Sequence, residues 1–176
     1  MQRTLDLLSR YAAFHRDRRN IVTHLVGIPL AVFGIGVLLS RPALAAGDLA
    51  LTPAWLCWGA AAVWYLSRGD VVLGAVVSAA SALLLVLATP LGRLSTSLWL
   101  AWGFGTLMLG WALQMVGHWY EGRRPAMIDG VRGLLVGPLF VTAEALFALG
   151  WGKGLLGEIE RRVGPTHVRD LAAMRS

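Results

Sequence analysis

Three residues near the end of a long apolar run suggest the chemistry this chain could perform. In Trp111–Ala126 (WALQMVGHWYEGRRPA), Gln114, His118 and Glu121 fall at i, i+4 and i+7, on one face of a helix. A polar stripe is costly at the end of a bilayer-length helix, and a bare membrane anchor has no need of it. Imidazole and carboxylate together suit iron, manganese or zinc. The remaining ligands must come from elsewhere, and the candidates are His15 and His24 near the other end of the chain. Glu144, an ionisable residue inside an apolar segment, is a further functional candidate.

The elements that must bring these groups together are membrane helices. Of 176 residues, 56% are hydrophobic and 15% charged, whereas soluble domains carry about a quarter charged. Ile21–Leu39, Leu49–Leu66, Val71–Thr89 and Leu98–Val116 are each long enough to span a hydrocarbon core at about 1.5 Å per residue. Met1–Asp17 is patterned as an amphipathic interfacial helix. Leu5, Leu8, Tyr11, Ala12, Phe14 and His15 form its buried face, and Arg3, Asp6, Arg10, Ala13, Arg16 and Asp17 its polar face. A continuous helix would set His15 and His24 about 900° apart, on opposite sides. A turn at Arg18-Arg19-Asn20, with Asn20 capping the next helix, lets them converge.

Gly133–Trp151 is apolar but contains Pro138 and Glu144. A fifth crossing would export Lys153, Arg161, Arg162, Arg169 and Arg175, so this segment is expected to re-enter or to pack on the bundle. The expected fold is an all-α integral membrane protein. It has about four transmembrane helices, the N-terminal amphipathic helix and the re-entrant or bundle-packed fifth segment. Its organisation is one membrane-embedded domain, residues 1–151, and a basic cytoplasmic tail, residues 152–176. A cytoplasmic N-terminus leaves only Arg41 and Arg93 outside among sixteen basic residues. The expected location is a bacterial inner membrane, with His15, His24, His118 and Glu121 at its cytoplasmic face.

Several function classes are excluded. The net charge of +6 comes from residues flanking apolar runs, which is an orientation signal and not a nucleic-acid footprint. Cys57 stands alone, so there is no disulfide framework or thiolate cage. No H-E-x-x-H, G-x-S-x-G, P-loop or Rossmann pattern occurs. The four histidines are too few for the di-iron cluster of membrane desaturases, and a mononuclear site fits the count. A single interfacial histidine is ordinarily structural, but three beside a carboxylate are better explained by a metal. The alternatives are a non-enzymatic membrane protein that binds lipid or metal, and a zinc-dependent membrane hydrolase.

Three motifs carry a family resemblance. The first is Tyr11-x3-His15-x4-Asn20-x3-His24-x2-Gly27-x-Pro29. The second is Trp111-x2-Gln114-x2-Gly117-His118-x2-Glu121-Gly122-Arg123-Arg124-Pro125-Ala126, and the third Pro138-Leu139-Phe140-x3-Glu144. Over about Leu5 to Gly150 the chain resembles a membrane family formerly catalogued as a domain of unknown function. That family includes a fungal endoplasmic-reticulum 2-hydroxy fatty acid dioxygenase of phytosphingosine breakdown. The resemblance implies an Fe(II)-dependent α-oxidation, without 2-oxoglutarate, in which a 2-hydroxy fatty acid and O2 give a fatty acid one carbon shorter. It implies His15, His24 and His118 as iron ligands, and Glu121 as a fourth ligand or a partner orienting a histidine. It further implies Asn20, Gln114 and Glu144 as supporting groups, and Arg123 or Arg124 as a partner for the substrate carboxylate.

Overall fold

The computed structural model describes residues 2–41, 44–46, 49–122 and 131–171. The chain is an all-α membrane protein. Helix α1 spans Gln2–Ala12, α2 Arg18–Leu38, α3 Pro53–Leu66, α4 Val71–Ala88, α5 Thr96–Glu121, α6 Val131–Ala148 and α7 Lys153–Val163. A short antiparallel hairpin, β1 Leu44–Ala46 and β2 Leu49–Leu51, precedes α3, and a 3-10 turn, Thr89–Arg93, follows α4.

Helix α1 is amphipathic as its periodicity predicts, with Leu5, Leu8, Tyr11 and Ala12 buried and Arg3, Asp6 and Arg10 exposed. It stops at Ala12, however, five residues earlier than the pattern suggests. Arg16 and Asp17 are not on a solvated face but buried, at 5% and 0% exposure. The cap of α2 is Asp17 and not Asn20: the Asp17 carboxylate accepts from the Arg19 N–H. The cap moves because Asn20, inside the first turn of α2, is used elsewhere.

Helix ends alternate between two faces of the bundle. Helix α2 leads away from the α1 face to Leu39, whose carbonyl accepts from Ala54 N–H at the start of α3. Helix α3 returns, since Thr4 of α1 donates to the Arg68 carbonyl in the turn after it. Helix α4 crosses again, and its 3-10 extension meets Arg41 through the Gly92 carbonyl. Helix α5 comes back to end beside the α1–α2 turn. By length and composition, α2, α4 with its extension, and α5 are full spans among the described residues, and the bent pair of α6 and α7 makes a fourth if it is taken as one broken span. The expected span Leu49–Leu66 is shortened to the 14 residues of α3, because Leu49–Leu51 pair as a strand and Pro53 starts the helix. At 1.5 Å per residue α3 covers about 21 Å, short of a hydrocarbon core of about 30 Å.

The fifth apolar segment packs on the bundle. Gly137 of α6 lies against Ile28 and Tyr11, whereas Glu144 lies beside Arg16, so α6 climbs back towards the face where α5 ended. A 117° bend then leads into α7, which packs on α1. Leu139, Phe140 and Ala143 of α6 join Leu8, Ile21 and Ile28 in the apolar core.

The central seam is α2 against α5, and glycine makes it. Gly103, Gly110 and Gly117 recur every seven residues along α5, facing Gly27 and Gly34 of α2. A Cβ on Gly110 would lie 2.4 Å from the Gly27 carbonyl oxygen, so nothing larger lets the backbones approach this closely. The heptad glycines of α5 and Gly27 and Gly34 of α2 together complete the seam.

Candidate metal centre

The α2–α5 seam ends at the histidines. Gly117 is the last glycine of the seam, and a Cβ there would lie 2.2 Å from Thr23 Oγ1, 2.5 Å from Asn20 Oδ1 and 3.0 Å from His24 Nδ1. Its successor His118 is thereby held beside His24 of α2, with ring centroids 5.0 Å apart. His15 enters from the α1–α2 turn, one turn beyond the end of α1. Its imidazole stacks on Tyr11, with ring centroids 4.2 Å apart and planes within 3°, and Phe140 packs against both rings.

His15, His24 and His118 are all buried, and each offers a ring nitrogen within 4.8 Å of the others. Backbone carbonyls set two of the tautomers. His15 Nδ1 lies 2.7 Å from the Tyr11 carbonyl oxygen, and His24 Nδ1 lies 2.9 Å from that of Asn20. A carbonyl can only accept, so each Nδ1 carries the proton and each Nε2 presents a lone pair. The two Nε2 atoms face each other at 3.3 Å. Burial, and then the neighbouring His24, hold the His15 pKa well below the usual 6.5, so His15 has no proton to offer across that gap. His118 Nδ1 is buried without a hydrogen-bond partner.

Facing lone pairs and an orphaned imidazole nitrogen fit a cation. His15 and His24 would hold such an ion through these Nε2 atoms, and its charge would relieve the repulsion of two lone pairs 3.3 Å apart. The buried three-histidine group can therefore hold a transition metal, and nitrogen-only donors suit zinc, copper, iron or nickel.

Glu121 holds the turn rather than the rings. Its carboxylate accepts from Arg16 N–H at 3.0 Å, Asp17 N–H at 2.9 Å and Asn20 Nδ2 at 3.0 Å. Asn20 Nδ2 also reaches the Phe14 carbonyl at 3.3 Å. One helix end thus supplies both an imidazole, from His118, and the acceptor that satisfies the turn carrying His15. Asp17 is fixed as well: burial alone would raise its pKa, but the Arg19 side chain and the backbone N–H groups of Arg169 and Arg19 bring it to about 2.

Among the described residues, two other sequence candidates have partners other than the rings. Glu144 faces Arg16 Nη2 at 3.7 Å. Gln114 donates to the Gly110 carbonyl of its own helix and borders a narrow apolar gap beside Tyr11, Ile28 and Pro138. Arg123 and Arg124 lie outside the described residues. Conversely, Arg16 and Asp17 are part of the site's frame although periodicity assigned them to the polar face. Only the capping preference of Asp offered a sequence signal for either, because a turn residue's burial depends on the distant Glu121.

Comparison with known proteins points to one family. Residues 1–149 match a family model described as 2-hydroxy-palmitic acid dioxygenase Mpo1-like. The 2-hydroxy-palmitic acid dioxygenase MPO1 of Saccharomyces cerevisiae is 30% identical over 167 residues, covering 89% of this chain and 88% of the yeast protein. No solved structure matches the chain.

Proposed function

The chain belongs to the Mpo1-like family, and from that premise we propose that it is a mononuclear non-haem iron dioxygenase of 2-hydroxy fatty acids. The reaction is an α-oxidation in which the hydroxy acid and O2 give the fatty acid one carbon shorter. Without a further reductant, the atoms balance with the carboxyl carbon leaving as CO2 and with one water formed. The observation that carries the reading is the convergence of three buried imidazoles, two with their Nδ1 protons committed to backbone carbonyls.

Iron, when bound, would supply O2 chemistry and the chelation of the substrate's carboxylate and 2-hydroxyl. The protein's own residues do the rest. His15, His24 and His118 would hold the iron. The Tyr11 and Asn20 carbonyls keep the first two rings turned with Nε2 inward, and Glu121 and Asn20 hold the turn that carries His15. Tyr11 and Phe140 cover the outer side of the His15 ring and exclude water there. An apolar substrate tail has a path in this reading. The gap beside Tyr11 shares Val32, Leu134 and Pro138 with a crevice of about 150 Å3 that runs on to Leu39 and Ala54. Surrounding lipid delivers such a substrate directly.

The orientation belongs to the same proposal: the site faces the cytoplasm of a bacterial inner membrane, supported by the arginines clustered on the α1 face. The test is iron content and product formation in His118→Ala. The variant should keep its fold, lose iron and form no shortened acid from a 2-hydroxy acid. Zinc at full occupancy in the native protein with no O2 consumption, or unchanged product in the variant, would sink the proposal.

A further inference from the structure

Beyond α7 the chain turns back across the α1–α2 turn, in a segment that the sequence marks only as a basic tail. His167 N–H donates to the Arg16 carbonyl at 2.9 Å, and Arg18 N–H donates to the His167 carbonyl at 2.9 Å. Asp17 and His167 thereby form a parallel bridge. Arg169 N–H donates to Asp17 Oδ2 at 2.9 Å, Arg19 Nη2 to the Arg169 carbonyl at 2.7 Å and Arg16 Nη1 to the Gly164 carbonyl at 3.0 Å. The Arg169 guanidinium also donates to the backbone carbonyl of Glu121.

These bonds share one destination. They end on the four residues that follow His15 and on the residue whose carboxylate clamps two of them. The turn has no helix or sheet ladder of its own, so its buried N–H and C=O groups need outside partners. Glu121 supplies them from one side and residues 164–169 from the other. The attachment of α7 does not require them, because α7 has its own contacts with α1, including the ion pair between Arg162 and Asp6. The family match ends at residue 149, so the segment lies outside the region matched by the family model.

We propose that residues 164–169 are a positioning element for the metal centre. By bonding Arg16, Asp17 and Arg18, this strap fixes where His15 stands relative to His24 and His118, and so sets how tightly the three hold their ion. The inference rests on the reading of the three histidines as a metal site.

The test uses full-length protein in nanodiscs with Co(II) as probe, read by its ligand-field spectrum and by its release to a chelator. His167→Pro removes one backbone donor of the strap, and Arg169→Ala removes the link to the Glu121 carbonyl. The double variant should release Co(II) at least about tenfold faster, the range seen when groups that orient metal ligands are removed. Amide exchange at residues 15–18 of the metal-free protein should accelerate in parallel. His167→Ala keeps the backbone donor and should release Co(II) at the native rate. Arg162→Ala, which breaks only the α7 ion pairs, should do the same. Unchanged release despite faster exchange in the turn would overturn the strap alone. If native protein takes up no Co(II), or takes it up equally as His118→Ala, the metal reading itself falls and this inference falls with it.

Discussion

At the scale of single residues, Glu121 is the contact that separates holding a metal from holding the turn beside it. Its carboxylate is used up by three donors from Arg16, Asp17 and Asn20. Glu121→Gln substitutes an amide donor for one accepting oxygen and sets it against those N–H groups. Metal affinity should fall by about 10–100-fold, read by chelator competition, with the spectrum of the fully loaded site unchanged. A changed spectrum at saturation would instead make Glu121 a ligand. His15 gives a pH dependence whose sign can be worked out. Its folded pKa lies well below that of an unfolded histidine, about 6.5. Between those two values the unfolded chain binds more protons, so stability rises with pH there and is lost as pH falls below about 6.5. Melting of the metal-free protein should therefore be flat above pH 7 and decline on acidification, and a rise on acidification would contradict the burial assigned to His15.

At the scale of elements, the α2–α5 seam controls the site. Gly117→Ala would place a methyl 2.2 Å from Thr23 Oγ1 and 2.5 Å from Asn20 Oδ1. Helix α5 must then move away or Asn20 must turn, and either change loosens Glu121 and His118 together. Overpacking of this kind costs about 1–3 kcal/mol. The expected result is a lower melting temperature together with weaker metal binding, whereas Gly105→Ala, where a Cβ would meet nothing within 4 Å, should change neither. The elements also explain where periodicity misled. The apolar stretches of α2 and α5 were readable, as Ile21–Leu39 and Leu98–Val116, because lipid demands long apolar helices. The end of α1 at Ala12 was not, since the helix pattern runs on through Arg16 and only distant partners, Glu121 and residues 164–169, make an unwound turn favourable there.

At the scale of the whole molecule, the alternating helix ends put both ends of the chain on one face. Asp6 of α1 pairs with Arg162 of α7, and Arg16 bonds His167. Reporters fused at the two ends should therefore report the same compartment, the cytoplasm in the orientation proposed. Opposite compartments would require α6 to cross, against its return from Ile28 to Arg16.

Composition and hydrophobic run lengths decided, without any structure, that this is an all-α membrane protein, because a bilayer admits few other solutions for an apolar chain. Residue chemistry and spacing singled out His15, His24, His118 and Glu121, since imidazole and carboxylate at the mouth of a bundle have few bland uses. The roles within that set were decided only by the tertiary structure. Whether a carboxylate meets a metal or a backbone depends on which donors lie within about 3 Å, and Arg16, Asp17 and Asn20 lie roughly a hundred residues from Glu121 in the chain. The same holds for the strap: no local pattern in residues 164–169 points to a turn some 150 residues away, because each of these bonds has a backbone group as at least one partner, and a backbone group leaves no trace in side-chain identity.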